Sequence, residues 1–149
     1  DREAYEACNK IFKSYSKSHK FMGPSGSGQL TKMVNQICIA GLIQALAEGI
    51  HFSRKAGLKT ADVMDVITKG AAQSWQMENR WKTMLNDEYD FGFAVDLMRK
   101  DLDIVLKQAK KMNTELEITD LVNSFYKDIQ KLGGGRWDTS SLLKRIQEK

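Results

Sequence analysis

Proline occurs once in this chain of 149 residues, at position 24, and that scarcity limits the fold more than any other feature. Strand-and-turn proteins spend proline on turns, whereas a helix interior excludes it. The chain is therefore expected to build long helices. From Gln29 to about Ala56 there is no proline, and Leu30, Met33, Val34, Ile37, Cys38, Ile39, Leu42, Ile43, Leu46 and Ile50 follow closely on one another. A helix of that length spans about 42 Å. Its apolar side chains surround most of the circumference, the pattern of a helix buried on nearly all sides. A small isolated domain cannot easily bury such a helix, so a partner subunit or another domain is expected around it. Gly57 is a fitting stop.

The other segments extend the all-α reading. Ala4, Cys8, Ile11, Phe12 and Tyr15 stand at helical spacing. A polar connector follows, and Gly23-Pro24-Ser25-Gly26-Ser27-Gly28 marks the best candidate boundary. Thr60 is expected to cap a helix that presents Val63, Met64, Val66 and Ile67 and ends by Gly70. A short helix runs from Ser74 to about Leu85, and Asn86 to Gly92 reads as a loop. The segment from about Val95 to Met112 presents Val95, Met98, Leu102, Val105, Leu106 and Ala109 on its main face. In the next helix Ile118, Leu121, Val122, Phe125, Ile129 and Leu132 follow the 3.6-residue period. Gly133-Gly134-Gly135 stops it, and Asp138 or Thr139 caps a last helix through Leu142, Leu143 and Ile146. No internal repeat of solenoid period is present.

Composition narrows the function classes. Apolar residues make up 42% and charged residues 28%, ordinary globular usage that excludes a disordered or collagen-like chain. The net charge of +4, from 23 basic and 19 acidic residues, is mixed along the chain. Lys10 to Lys20 and Lys107 to Lys111 read as solvated surface, and no nucleic acid partner is expected. The longest uninterrupted apolar run, Ile37 to Ile43, is about a third of the ~20 residues that cross a bilayer, so no membrane partner is expected. Asp1-Arg2-Glu3 opens a charged stretch rather than a signal peptide. Cys8 and Cys38 form no CxxC pair and are expected as small buried residues in a reducing, cytoplasmic compartment. His19 and His51 lie apart from any ligand cluster, so no metal site is expected. Trp75, Trp81 and Trp137 read as packing anchors.

Two constellations could carry chemistry. In the first, Gly26, Ser27 and Gly28 precede the long helix, and Lys32, Asn35 and Gln36 project from one side of it at i, i+3 and i+4. Glycines there allow close approach of a ligand, and a helix start suits an anion. Lys32 is then a candidate proton donor and acceptor; a solvated lysine with two amide neighbours is the structural alternative. In the second, Leu97, Lys100, Asp101 and Ile104 stand at i, i+3, i+4 and i+7, with Phe93 just ahead. They form a stripe turned away from the main face, which reads as a cleft wall or a surface ion pair.

The ordered set Gly23-Pro24-Ser25-Gly26-Ser27-Gly28-Gln29-Leu30-Thr31-Lys32, then Asn35-Gln36, Ala47-Glu48, Lys55-Ala56-Gly57-Leu58, Gly92-Phe93, Lys100-Asp101-Leu102, a glycine-rich turn and Asp138 resembles the 3-hydroxyisobutyrate dehydrogenase family. These β-hydroxyacid dehydrogenases are related to 6-phosphogluconate dehydrogenase. The resemblance covers Gly23 to Lys149. It implies a 6-phosphogluconate dehydrogenase C-terminal-domain-like helical domain built around one long central helix. Residues 23–149 would be the substrate and dimerisation domain, and residues 1–22 the tail of a missing N-terminal Rossmann domain.

The resemblance also implies roles. Lys32 would be the catalytic acid/base during hydride transfer. Gly26, Ser27, Phe93 and Asp101 would border the substrate, and either Asn35 or Gln36 would hold it. Many members have Asn four residues after the lysine, where this chain has Gln36. Lys100 would reach the cofactor, NAD or NADP, bound mostly by the missing domain. The substrate would be a small hydroxy acid or semialdehyde, and the assembly a homodimer or homotetramer. The 149 residues alone would be inactive. A helical dimerisation module that keeps the fold without the chemistry is the alternative.

Overall fold

The computed structural model describes residues 1–148; Lys149, the far bound of the 23–149 domain, lies outside the described residues. Among the described residues, eight α-helices and two single 3-10 turns account for the regular structure, and there is no strand. The all-α fold class expected from the scarcity of proline is what the chain adopts. Two compact units are present, Asp1–Asn35 and Gln36–Lys149, and the long third helix runs through their boundary.

In the first unit, α1 (Arg2–Ala7) begins where the Asp1 carboxylate accepts from the Ala4 N–H at 3.1 Å. Cys8 separates it from α2 (Asn9–Tyr15). A cluster of Tyr5, Phe12, His19 and Phe21 forms a small aromatic core, with the Tyr5 hydroxyl 2.6 Å from His19 Nδ1. A turn closed by the Ser27 N–H to the Pro24 carbonyl leads into α3 (Ser27–Lys55).

The second unit is built on the rest of α3, then α4 (Thr60–Ile67), α5 (Trp75–Leu85), α6 (Val95–Lys111), α7 (Glu117–Lys131) and α8 (Leu142–Gln147). The 3-10 turns Gly134–Arg136 and Thr139–Ser141 lie between α7 and α8. Ala40, Ile43, Ala47 and Ile50 of α3 are fully buried and join Met98 and Leu102 of α6, Tyr126 and Ile129 of α7, and Leu142 and Leu143 of α8 in one core. Arg145 is buried on the rim. Its Nε donates to Asp128 at 3.0 Å, and its guanidinium lies 3.8 Å from the Phe125 ring centroid. Lys131 and Arg145 together hold the Asp128 carboxyl below the usual carboxylate range.

Within its unit α3 buries one face and leaves Leu42 and Phe52 44% and 72% exposed, the side left for the partner expected around this helix. Three expectations are corrected. Cys38 shares that outer side and is exposed, and Cys8 is only half-buried. Lys59, not Thr60, occupies the cap of α4; Thr60 is its first residue and its hydroxyl accepts from Ser53 at 3.1 Å. The buried face of α7 centres on Val122, Tyr126 and Ile129, and leaves Ile118 and Leu121 exposed. By length and average hydropathy α3 could also cross a membrane. Counting uninterrupted apolar runs misses this, because single polar residues such as Gln36 and Gln44 break runs without making the window polar. Its packed face in the second unit is that of a core helix, and core helices pass the same test.

The glycine triplet does more than end α7. A Cβ at Gly134 would stand 2.1 Å from Trp137 Cε3 and 2.7 Å from Ile129 Cγ2. Gly134→Ala is expected to destabilise the protein by about 1–3 kcal/mol through overpacking. Urea unfolding should show the loss as a lower midpoint with unchanged slope. An unchanged midpoint would mean that the Trp137 ring is not held against this turn.

Candidate functional site

The two constellations are set out by α3 and by the start of α6. On α3, Lys32 and Asn35 lie in the first unit, one helical turn apart, and both side chains are exposed. Gly26, with φ +97°, turns the chain into this helix, and Ser27 is its first residue. The Ser27 carbonyl accepts from the Thr31 hydroxyl at 2.9 Å.

In the second unit, Gln36, Lys100 and Asp101 come together. Gln36 is 2% exposed. Its Nε2 donates to Asp101 Oδ2 at 2.9 Å and lies 3.6 Å from the Met98 sulfur. The other Asp101 oxygen stands 3.1 Å from Lys100 Nζ. The carboxylate of Asp101 is thus held between an amide and an ammonium, with 18% of its side chain exposed and 62% of that of Lys100. Leu97 and Ile104, the outer members of the stripe, are 42% and 46% exposed. The stripe therefore faces outward from α6, while Asp101 leans back to Gln36. A bond spanning 65 residues of sequence has no signal in local spacing.

Phe93 belongs to a different arrangement. It is half-buried against the core, and its N–H donates to Asp138 Oδ2 at 2.9 Å. Its carbonyl accepts from the Thr139 N–H at 3.0 Å. Asp138 caps the second 3-10 turn; the last helix, α8, starts after Ser141, so neither Asp138 nor Thr139 is its cap as expected, because the 3-10 turn intervenes. Arg80 of α5 completes this arrangement, with Nε 3.1 Å from Asp138 Oδ1. Sequence reasoning missed Arg80, because a single arginine 58 residues from its partner leaves no pattern. Nearby, burial pushes the Tyr89 hydroxyl well above the ordinary phenol range, and the negative charge of Asp87 adds to the effect.

Two other features stand apart. A groove between the end of α6 and the start of α7, lined by Leu106, Ala109, Asn113, Leu116 and Asp120, contains none of the candidate residues. Among the described residues no group of three or more His, Cys, Asp or Glu side chains is placed to hold a metal ion.

Comparison with known proteins gives these residues a context. The family described as NAD-binding of NADP-dependent 3-hydroxyisobutyrate dehydrogenase matches residues 26–146. An uncharacterised oxidoreductase of Shewanella frigidimarina is 53% identical over 148 residues, 99% of this chain and 51% of that protein. The 2-hydroxy-3-oxopropionate reductase of Escherichia coli is 29% identical over 99% of this chain and 50% of its own. The crystal structure of a 3-hydroxyisobutyrate dehydrogenase from Salmonella typhimurium superimposes with a TM-score of 0.86 at 26% identity, covering 95% of this chain and 50% of that one. The chain spans about half the length of the curated relatives it matches.

Proposed function

The chain belongs to the 3-hydroxyisobutyrate dehydrogenase family, and we propose that it is the C-terminal catalytic and dimerisation half of an NAD(P)-dependent oxidoreductase acting on a small hydroxy acid or semialdehyde. The family is one of NAD(P)-dependent hydroxyacid dehydrogenases. Residues 1–22 would then be the tail of an N-terminal Rossmann domain and its connector, and 23–149 the helical domain. The observation that carries the reading is the family match over residues 26–146, which takes in Lys32 and the Lys100–Asp101 pair.

Lys32 is the acid/base of this proposal. In the oxidative direction its neutral amine accepts the proton of the substrate hydroxyl as the C–O bond becomes a carbonyl; in reduction its ammonium returns the proton to oxygen. A nicotinamide dinucleotide, when bound, supplies the hydride acceptor or donor. Gly26 and Ser27 lie beside the substrate. Either Asn35, which is exposed, or Gln36, which is buried and gives its N–H to Asp101, would hold the substrate. In the second unit, Asp101 and Phe93 are the residues that the resemblance assigns to the substrate.

The fit to a dinucleotide is partial. The described residues offer no strand–glycine–helix turn on which a pyrophosphate could sit. Lys100, the cation that the resemblance assigns to the cofactor, is largely exposed and already balanced by Asp101. Lys100 would make a contact at the edge of the cofactor, whose main seat must be elsewhere. The 149 residues alone are therefore expected to be inactive. The exposed apolar side of α3, with Leu42 and Phe52, is the surface on which a homodimer or homotetramer would close.

The test is turnover. The full-length protein, offered small semialdehydes and 2-oxo acids, should oxidise NADH or NADPH, read as a fall in absorbance that depends on the added substrate. Turnover on none of them would overturn the reading and favour a helical module that keeps the family fold without catalysis.

A further inference from the structure

Phe93 is tied at both ends of its peptide unit to a segment 45 residues away. The Asp138 carboxylate is 1% exposed and accepts four hydrogen bonds. They come from the Phe93 N–H at 2.9 Å, Arg80 Nε at 3.1 Å, the Ser140 N–H at 3.0 Å and the Ser140 hydroxyl at 2.6 Å. The main chain adds three more across the same seam: Asp138 N–H to the Tyr89 carbonyl, Thr139 N–H to the Phe93 carbonyl, and Val95 N–H to the Trp137 carbonyl.

A single buried carboxylate without partners would be costly; one with four donors is stable and well oriented. Its largest counter-charge, Arg80, is itself enclosed. The guanidinium lies 4.9 Å from the Trp75 ring centroid and 5.1 Å from that of Phe91. These two rings flank the guanidinium, whose side chain is 16% exposed, and Phe91 ties the loop to Arg80 as well. Gly92 completes the fit. It has φ +71°, and a Cβ there would stand 2.1 Å from Asp138 Oδ2. The loop passes so close to the carboxylate that only glycine leaves room for it.

We infer that Asp138, backed by Arg80, is a positioning residue for catalysis: it fixes the Gly92–Phe93 loop so that Phe93 presents one surface to the substrate. The inference rests on the reading that Phe93 borders the substrate. Asp138 touches no reacting atom in it, and its effect passes through Phe93. The 3-10 turn after Trp137 thus serves the loop as well as the start of α8.

Asp138→Asn in the full-length protein separates the possibilities. The amide matches the carboxylate in size but offers one acceptor and one donor group. If its oxygen keeps Arg80 and Ser140, its N–H faces the Phe93 N–H, donor against donor. Amide hydrogen exchange over residues 89–93 should become at least about tenfold faster, with α6 and α7 unchanged. KM for the hydroxy acid or semialdehyde should rise at least about fivefold while kcat changes by less than about twofold. A purely structural role would lower the amount of active protein and leave KM alone. Unchanged exchange at 89–93 overturns the inference, and so does faster exchange with unchanged KM. If Asp138→Asn does not fold, Arg80→Lys serves with the same two readouts, since it keeps the charge and loses the Nε bond. If the unaltered protein turns over nothing, the dehydrogenase reading fails by itself. Exchange then decides whether Asp138 holds the loop.

Discussion

Replacing Lys32 by alanine in the full-length protein should lower kcat by about 100-fold or more, the loss that follows removal of a positioned general acid/base. The side chain is exposed on α3 and is no part of the core. Alanine is also at least as good a helix former as lysine. Thermal stability should therefore stay within about 0.5 kcal/mol, as for most exposed substitutions. Lys32→Arg separates proton transfer from charge. Arginine keeps a cation at the same place but does not release its proton in a protein. If Lys32 exchanges a proton with the substrate oxygen, the arginine variant should be as inactive as the alanine one. Recovery to within about tenfold of the original rate would mean that Lys32 supplies charge only. Equal turnover in all three proteins would remove Lys32 from the reaction.

The helices were legible in the sequence because their signals are local. A run without proline, dense in apolar residues, is enough to place α3, and Ser74 before Trp75 is enough to start α5, where its hydroxyl accepts from the Met77 N–H. Lys32, Asn35, Gln36, Lys100 and Asp101 stood out by spacing along single helices. What the spacing could not show is which side turns inward. On α7 a list of wholly apolar residues chose Ile118 and Leu121, which are exposed, and left out Tyr126, which is fully buried. The polar tip of tyrosine hides its apolar ring from such a count. Partnerships across the chain left no trace either. Gln36 with Asp101, and Arg80 and Phe93 with Asp138, are joined by tertiary packing of helices whose order alone does not fix their contacts. The resemblance marked Asp138 without giving the reason for it.

Tyr126 should carry the largest stability effect in the second unit. It heads the fully buried side chains by volume, and its hydroxyl donates to the Thr139 carbonyl at 3.2 Å in the turn that Asp138 caps. Tyr126→Ala is expected to cost about 3–5 kcal/mol, the range for deleting a buried aromatic ring and leaving a cavity. Tyr126→Phe keeps the ring and should cost only about 1 kcal/mol for the lost hydrogen bond. Burial pushes the Tyr126 hydroxyl well above its ordinary value near 10, and the Asp138 charge adds to the effect. The folded protein therefore keeps a proton that the unfolded chain gives up. This share of stability is present below about pH 10 and is lost as pH rises toward the folded value. Urea unfolding of the three proteins at neutral pH, then at rising alkaline pH, checks both points. The alanine variant should have the lowest midpoint at neutral pH, and the phenylalanine variant should lose less stability than the original as the solution becomes alkaline. Nearly equal midpoints for the alanine and phenylalanine variants would mean that the ring does not fill the core. An unchanged alkaline slope in Tyr126→Phe would mean that the hydroxyl is not buried in the folded state.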